Sequence, residues 1–182
     1  MLFRSYADPP TPAASSIISQ VNSYNSSNGG TGSLTATADG DTVTITGDIT
    51  GATSALILTV TDATVYVIWN ATLKVSGNDS ALELRLQVSG SPVFRMTGGE
   101  IVTNDTSAAF RNTVGLWTIR IQGGEVRNEG TGDAIRVNGN VYVSGGKVMA
   151  GQSHAIRVSL DSTLDISGGL VFAHGTNIIG CL

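Results

Sequence analysis

The sequence predicts an all-β fold, a parallel β-solenoid of about six coils closed at its N-terminal end by one short helix. Three observations predict it. Double glycines recur at Gly98-Gly99, Gly123-Gly124, Gly145-Gly146 and Gly168-Gly169, at spacings of 25, 22 and 23 residues, a length typical of one solenoid coil. Two apolar residues, one variable residue apart, precede each pair: Phe94 and Met96, Ile119 and Ile121, Val141 and Val143, Leu164 and Ile166. A second short strand follows each pair by about ten residues, as AAFRN from 108, DAIRV from 133, HAIRV from 154 and, less regularly, TNIIG from 176. Successive strand residues point to opposite faces, so the apolar pairs face inward and Arg95, Arg120, Tyr142 and Asp165 face outward. No single coil can bury its apolar face, and stacking coils about 4.8 Å apart does so. The glycines mark corners that leave no room for a Cβ or need a positive φ.

The elements follow in chain order. Residues 1–13 hold three of the four prolines and read as an extended leader or linker outside the core. Ile17, Ile18, Val21 and Tyr24 recur at helical spacing behind Ser15 and Ser16, either of which can cap a helix over residues 15–24. NSSNGGTG at 25–32 then breaks the chain, so 14–33 is the capping helix with its lead-in loop and 34–182 the coils. Together 14–182 form a single domain. Degenerate copies of the repeat precede the first double glycine: TVTITGD at 42 and TVYVIWN at 64 match the first strand, SALILTV at 54 and SALELRL at 80 the second.

Composition excludes several functions. Only 13% of residues are charged, about half the usual share, the net charge is -4, and no cluster of Lys and Arg exists. A nucleic-acid partner needs a concentrated basic face and is not expected. The lone Cys181 has no partner for an internal disulfide, and no apolar run approaches the roughly 18 residues of a membrane span.

ISGG-x-V followed by an Ala-Ile strand resembles the right-handed parallel β-helix repeats of bacterial surface and secreted proteins, the pectin-lyase-like group often labelled carbohydrate-binding or adhesin-like. The resemblance covers roughly residues 34–182 and implies right-handed coils, export from a bacterial cell, and a place outside it or on its surface. It implies a scaffold more than an activity, since that scaffold carries lyases, hydrolases, adhesins and stalks. The pectinolytic enzymes use an Asp cluster for Ca²⁺, paired aspartates, a His-Gly and an Arg-Ile-Lys. Here His174-Gly175 stands alone, without an Asp-Asp pair or an Arg-Ile-Lys, so no catalytic residue, metal or cofactor is expected.

Stacking turns equivalent positions into ladders, and four carry possible chemistry. Glu83, Arg111, Arg136 and Arg157 share the outward position of the second strand. Three guanidiniums at that spacing repel one another, which suits an acidic sugar or a partner's carboxylates, and equally a solvated face in which Glu83 pairs with Arg111. Glu100, Glu125 and Lys147 follow the glycine pairs. They fit a solvated ladder with a Glu125–Lys147 pair, or else the two carboxylates of a retaining glycosidase or a Ca²⁺ site. Asp133 and His154 fall on neighbouring coils, with Ser153 beside the His, as half of a general-base arrangement or as turn residues. Arg95, Arg120 and Tyr142, with Trp117 nearby, have the aromatic and arginine character of a glycan platform, although Trp69 and Trp117 also suit the core.

The last coil is uncovered by any second cap, so Ile178, Ile179, Cys181 and Leu182 are candidate self-association residues unless the chain continues. The expectation is therefore a non-catalytic surface module that adheres, or binds glycan or cell-wall polysaccharide. The alternative is a structural subunit that assembles with itself end to end into a fibre. A polysaccharide lyase or hydrolase is the less favoured third.

Overall fold

A computed structural model describes residues 7–77, 79–175 and 178–181. Helix α1 spans Pro12–Asn25, and fourteen strands follow: β1 Thr31–Asp39, β2 Thr42–Ala52, β3 Leu56–Val60, β4 Tyr66–Val75, β5 Leu82–Leu86, β6 Val93–Thr103, β7 Phe110–Val114, β8 Trp117–Ile121, β9 Glu125–Asn128, β10 Ile135–Val137, β11 Gly139–Ala150, β12 Ile156–Val158, β13 Leu164–Ala173 and β14 Ile179–Cys181. They form two sheets. One runs β1-β2-β4-β6-β8-β11-β13, with β9 between β6 and β11, and the other runs β3-β5-β7-β10-β12-β14. Each of six turns contributes one bent strand, or the β8 and β9 pair, to the first sheet and one short strand to the second. Every pairing is parallel except β1 with β2. The chain is a mostly β, six-turn solenoid with one N-terminal helix.

The glycine pairs lie where the long strands bend. The second glycine of each pair has a φ of 72 to 80°, where a side chain is strained, and a Cβ on Gly99 would sit 2.0 Å from the Ala71 carbonyl oxygen one coil below. Inside the column Trp69 packs against Phe94 of the next coil, and Phe94 against Phe110 across its own coil, with ring centroids 6.2 and 4.8 Å apart. All three rings are fully buried, each worth roughly 1.5–3 kcal/mol of transfer free energy.

The helix begins earlier than the apolar spacing predicts. Thr11 caps it, accepting a hydrogen bond from Ala14 N, and Pro12 occupies the first turn, where its missing N–H costs nothing. Ala13, Ala14, Ile17, Val21 and Tyr24 are buried against the first coil. Thus residues 12 and 13, expected in an extended leader, belong to the cap. The start of the solenoid shifts too: β1 runs antiparallel to β2 from Thr31 to Asp39, so parallel coiling begins at Thr42 rather than at 34.

Two side-chain amides of the helix close the sheet edges. Gln20 donates from Nε2 to the Thr59 carbonyl at 2.9 Å and accepts at Oε1 from Thr59 N at 2.6 Å, on the outer edge of β3. Asn25 does the same on β1, donating to Leu34 O at 2.7 Å and accepting from Leu34 N at 2.8 Å. Each amide presents the donor and acceptor that a neighbouring strand would supply. The opposite end differs. Ile166 and Ile179 lie in register with the fully buried Val143 and Ile156 yet are 40% and 48% exposed, because no described coil covers them, whereas the exposed Leu170 and Phe172 continue the outward rungs of Lys147 and Met149.

Candidate functional site

The outer face of the first sheet assembles the predicted arginine and aromatic ladder. Ile68, Arg95, Arg120, Tyr142 and Asp165 occupy five consecutive rungs in direct register. Arg95 donates from Nε to the Gln122 amide oxygen, and the Arg120 guanidinium lies 4.9 Å from the centroid of the Tyr142 ring. The row therefore presents guanidinium donors, an amide, a phenol and a carboxylate on one rigid surface, about 20 Å long at strand spacing.

Trp117 does not join this surface. It is fully buried at the start of β8, and its place among the candidate ligand-binding residues is corrected. The signal was present in the sequence. Trp117 shares strand parity with Ile119 and Ile121, which point inward, whereas Thr118 and Arg120 point outward. Trp69 is core for the same reason.

On the second sheet Glu83, Arg111, Arg136 and Arg157 are successive rungs, as the repeat predicts. Glu83 is outward-pointing in register but only 1% exposed, because two arginines cover it. Arg111 grips its Oε2 from Nη2 at 2.6 Å and Nε at 3.1 Å, and Arg85 Nε holds Oε1 at 2.7 Å. The hydrogen bond that Arg85 donates to Glu83 also pushes the Arg85 guanidinium pKa further up, the Glu83 charge adding to the same effect. At the far side Arg157 Nη2 lies 3.3 Å from buried Asp133 and 2.6 Å from His154 Nδ1. Arg136 is exposed between the two.

Asp133, Ser153 and His154 do meet. Ser153 Oγ donates to Asp133 Oδ1 at 2.7 Å, and the His154 Nδ1 is 3.1 Å from the same oxygen. Because the nearer group at Nδ1 is the Arg157 donor, Nδ1 serves as acceptor and the ring proton belongs on Nε2. The Ser153 hydroxyl points its proton at the carboxylate, with His154 Nδ1 farther off at 3.4 Å, and the constellation ties two turns together. The ring lies under Gly180, where a Cβ would come within 2.6 Å of His154 Cδ2.

Glu100 and Glu125 are adjacent rungs, each with its own cation: Lys74 at 2.7 Å for Glu100, Arg127 at 2.7 Å and Lys147 at 3.9 Å for Glu125. Among the described residues no group of three or more His, Cys, Asp and Glu side chains converges as metal ligands, and no helix is long and apolar enough to cross a membrane.

One feature escaped sequence reasoning. Val102, Arg127, Met149 and Phe172 form another outward ladder, the third residue after each glycine pair, and the last three, with His174 edge-on to Phe172, bound an apolar cavity of about 220 Å³. Its signal is the same repeat read three residues further on. Of the candidate self-association residues, Ile178, Ile179 and Cys181 are exposed at the last coil, and Leu182 lies outside the described residues. Comparison with protein-family models, with curated proteins and with solved structures returns no match.

Proposed function

We propose that the chain is a non-catalytic module displayed outside a bacterial cell, where it adheres to or binds glycan along its strand faces. The observation that carries this reading is the unbroken row of Arg95, Arg120, Tyr142 and Asp165 on one outer face. Sugars offer alternating hydroxyls and apolar CH faces. Guanidiniums donate to hydroxyls, a carboxylate accepts from them, and an aromatic ring takes a CH face. A sheet face holds these groups in fixed register, so little conformational entropy is lost on binding. The resemblance to β-helix repeats of bacterial surface proteins favours the same reading and the extracellular location.

A glycan array probed with the chain, Tyr142→Ala and Arg120→Gln tests it. Retention of a sugar, weakened more than tenfold by either substitution, supports the reading. No retained sugar, or variants that bind like the parent, would sink it.

The last coil favours a second reading, a structural subunit that associates with its own copies. Exposed Ile166, Ile178 and Ile179 accompany strand edges of β13 and β14 that have no partner among the described residues. A fibre built end to end has to displace the Gln20 and Asn25 amides from the other end of the column. Electron microscopy and sizing separate the two: filaments under assembly, single particles under binding.

A further inference from the structure

Among the described residues, every lysine and arginine but one has a partner. Both lysines and four arginines meet carboxylates, Arg95 meets the Gln122 amide, and Arg120 meets the Tyr142 ring. Arg136 alone has no hydrogen bond, ion pair or ring contact there, and it is exposed. It also stands in the least favourable place for an unpaired cation, in direct register with Arg111 on one side and Arg157 on the other. Like charges facing each other across neighbouring strands disfavour the fold.

The flanking guanidiniums are fixed. Glu83, 1% exposed, holds Arg111, and Asp133, 5% exposed, holds Arg157, so neither buried carboxylate can turn toward Arg136. The Nη1 groups of Arg111 and Arg157 make no hydrogen bond among the described residues. The result is an exposed, free planar fork between two immobilised neighbours, both only partly exposed. That arrangement suits a planar or tetrahedral oxyanion, which accepts paired hydrogen bonds from a guanidinium and relieves the repulsion in the column.

We propose that Arg136 anchors an anion site on the second sheet that takes the carboxylate or sulfate of an acidic glycan. This rests on the glycan reading above and adds the charge class of the ligand and a second face to it. The site is distinct from the Arg120 and Tyr142 row, which lies on the other sheet.

Dextran and carboxymethyl-dextran share a backbone and differ in the carboxylate, so calorimetric titration of the 182-residue chain with each isolates the anion. The expected result is binding of carboxymethyl-dextran at least tenfold tighter than dextran, falling as salt is raised. Arg136→Gln abolishes that preference and Arg136→Lys, which keeps the charge and loses the fork, restores only part of it. Thermal unfolding of Arg136→Gln at or above the parent temperature shows an intact fold relieved of repulsion. Equal binding of the two dextrans, or a preference unchanged in Arg136→Gln, overturns the site. Polyglutamate bound as tightly as carboxymethyl-dextran overturns the assignment to a glycan. Failure of the first-sheet reading shows separately, as a Tyr142→Ala variant that binds arrayed neutral sugars like the parent.

Discussion

Replacing the Gln20 amide tests how the N-terminal end of the column is closed. Its two bonds to the Thr59 backbone, at 2.9 and 2.6 Å, stand in for a missing strand. A net 0.5–1.5 kcal/mol per hydrogen bond makes Gln20→Ala about 1–3 kcal/mol less stable. For a chain of 182 residues that lowers the unfolding temperature by about 2–12 °C. Asn25→Ala removes the equivalent pair on Leu34, which is 2% exposed and less able to recruit water, so its loss falls at the upper end.

The sharper perturbation is Gln20→Glu. It keeps the acceptor for Thr59 N but sets a carboxylate oxygen against the Thr59 carbonyl, replacing an attraction with a repulsion. It is therefore expected to cost at least as much as Gln20→Ala at neutral pH. The two edges share no partner, so the losses in the double variant add. Freed edges also recruit strands from other copies. Thermal unfolding by circular dichroism reads the first effect and sizing by light scattering the second. Gln20→Glu and Asn25→Asp variants that unfold at the parent temperature and keep the parent's size would refute the strand-surrogate argument.

Two further predictions concern the corners and the cap. Gly99→Ala places a methyl 2.0 Å from the Ala71 carbonyl oxygen at a φ of 73°, so backbone must move; a loss of about 2–4 kcal/mol is expected in denaturant unfolding, against about 1 kcal/mol or less for Gly51→Ala, which meets nothing within 4 Å but also has a positive φ. Equal losses at the two positions would show that coil contact is irrelevant. Tyr24 donates its phenol proton to the Ser54 carbonyl at 2.8 Å, and burial, aided by the charge of Asp79, pushes its pKa well above the ordinary 10.0. Folding thus holds the proton. The stabilisation is complete below pH 10 and is lost as pH rises above that value toward the folded pKa. Tyr24→Phe should lose about 0.5–1.5 kcal/mol at neutral pH and show a shallower fall of stability in alkali; an alkaline limb identical to the parent's would contradict the assignment.

Much of the architecture was legible because a solenoid repeats one local rule. Glycine pairs at nearly constant spacing set the coil length, and period-two apolar positions set which face of each strand turns inward. Equal coil lengths then align equivalent residues, which is why the rungs Arg111, Arg136, Arg157 and Arg95, Arg120, Tyr142 could be read before any coordinates. The parity of Trp117 with Ile119 was equally legible and outweighs the preference of tryptophan for ligand surfaces.

What the sequence by itself determined is the column: its coil length, its inward and outward faces and the helix at one end, all properties of residues close along the chain. Tertiary structure alone decided the rest. Whether β1 pairs parallel or antiparallel, whether an outward Glu83 is buried, and which described arginine keeps no partner all depend on how long side chains from neighbouring coils and turns reach across one another. Periodicity places a Cβ on a face. Only the packed neighbours set what its charged end touches.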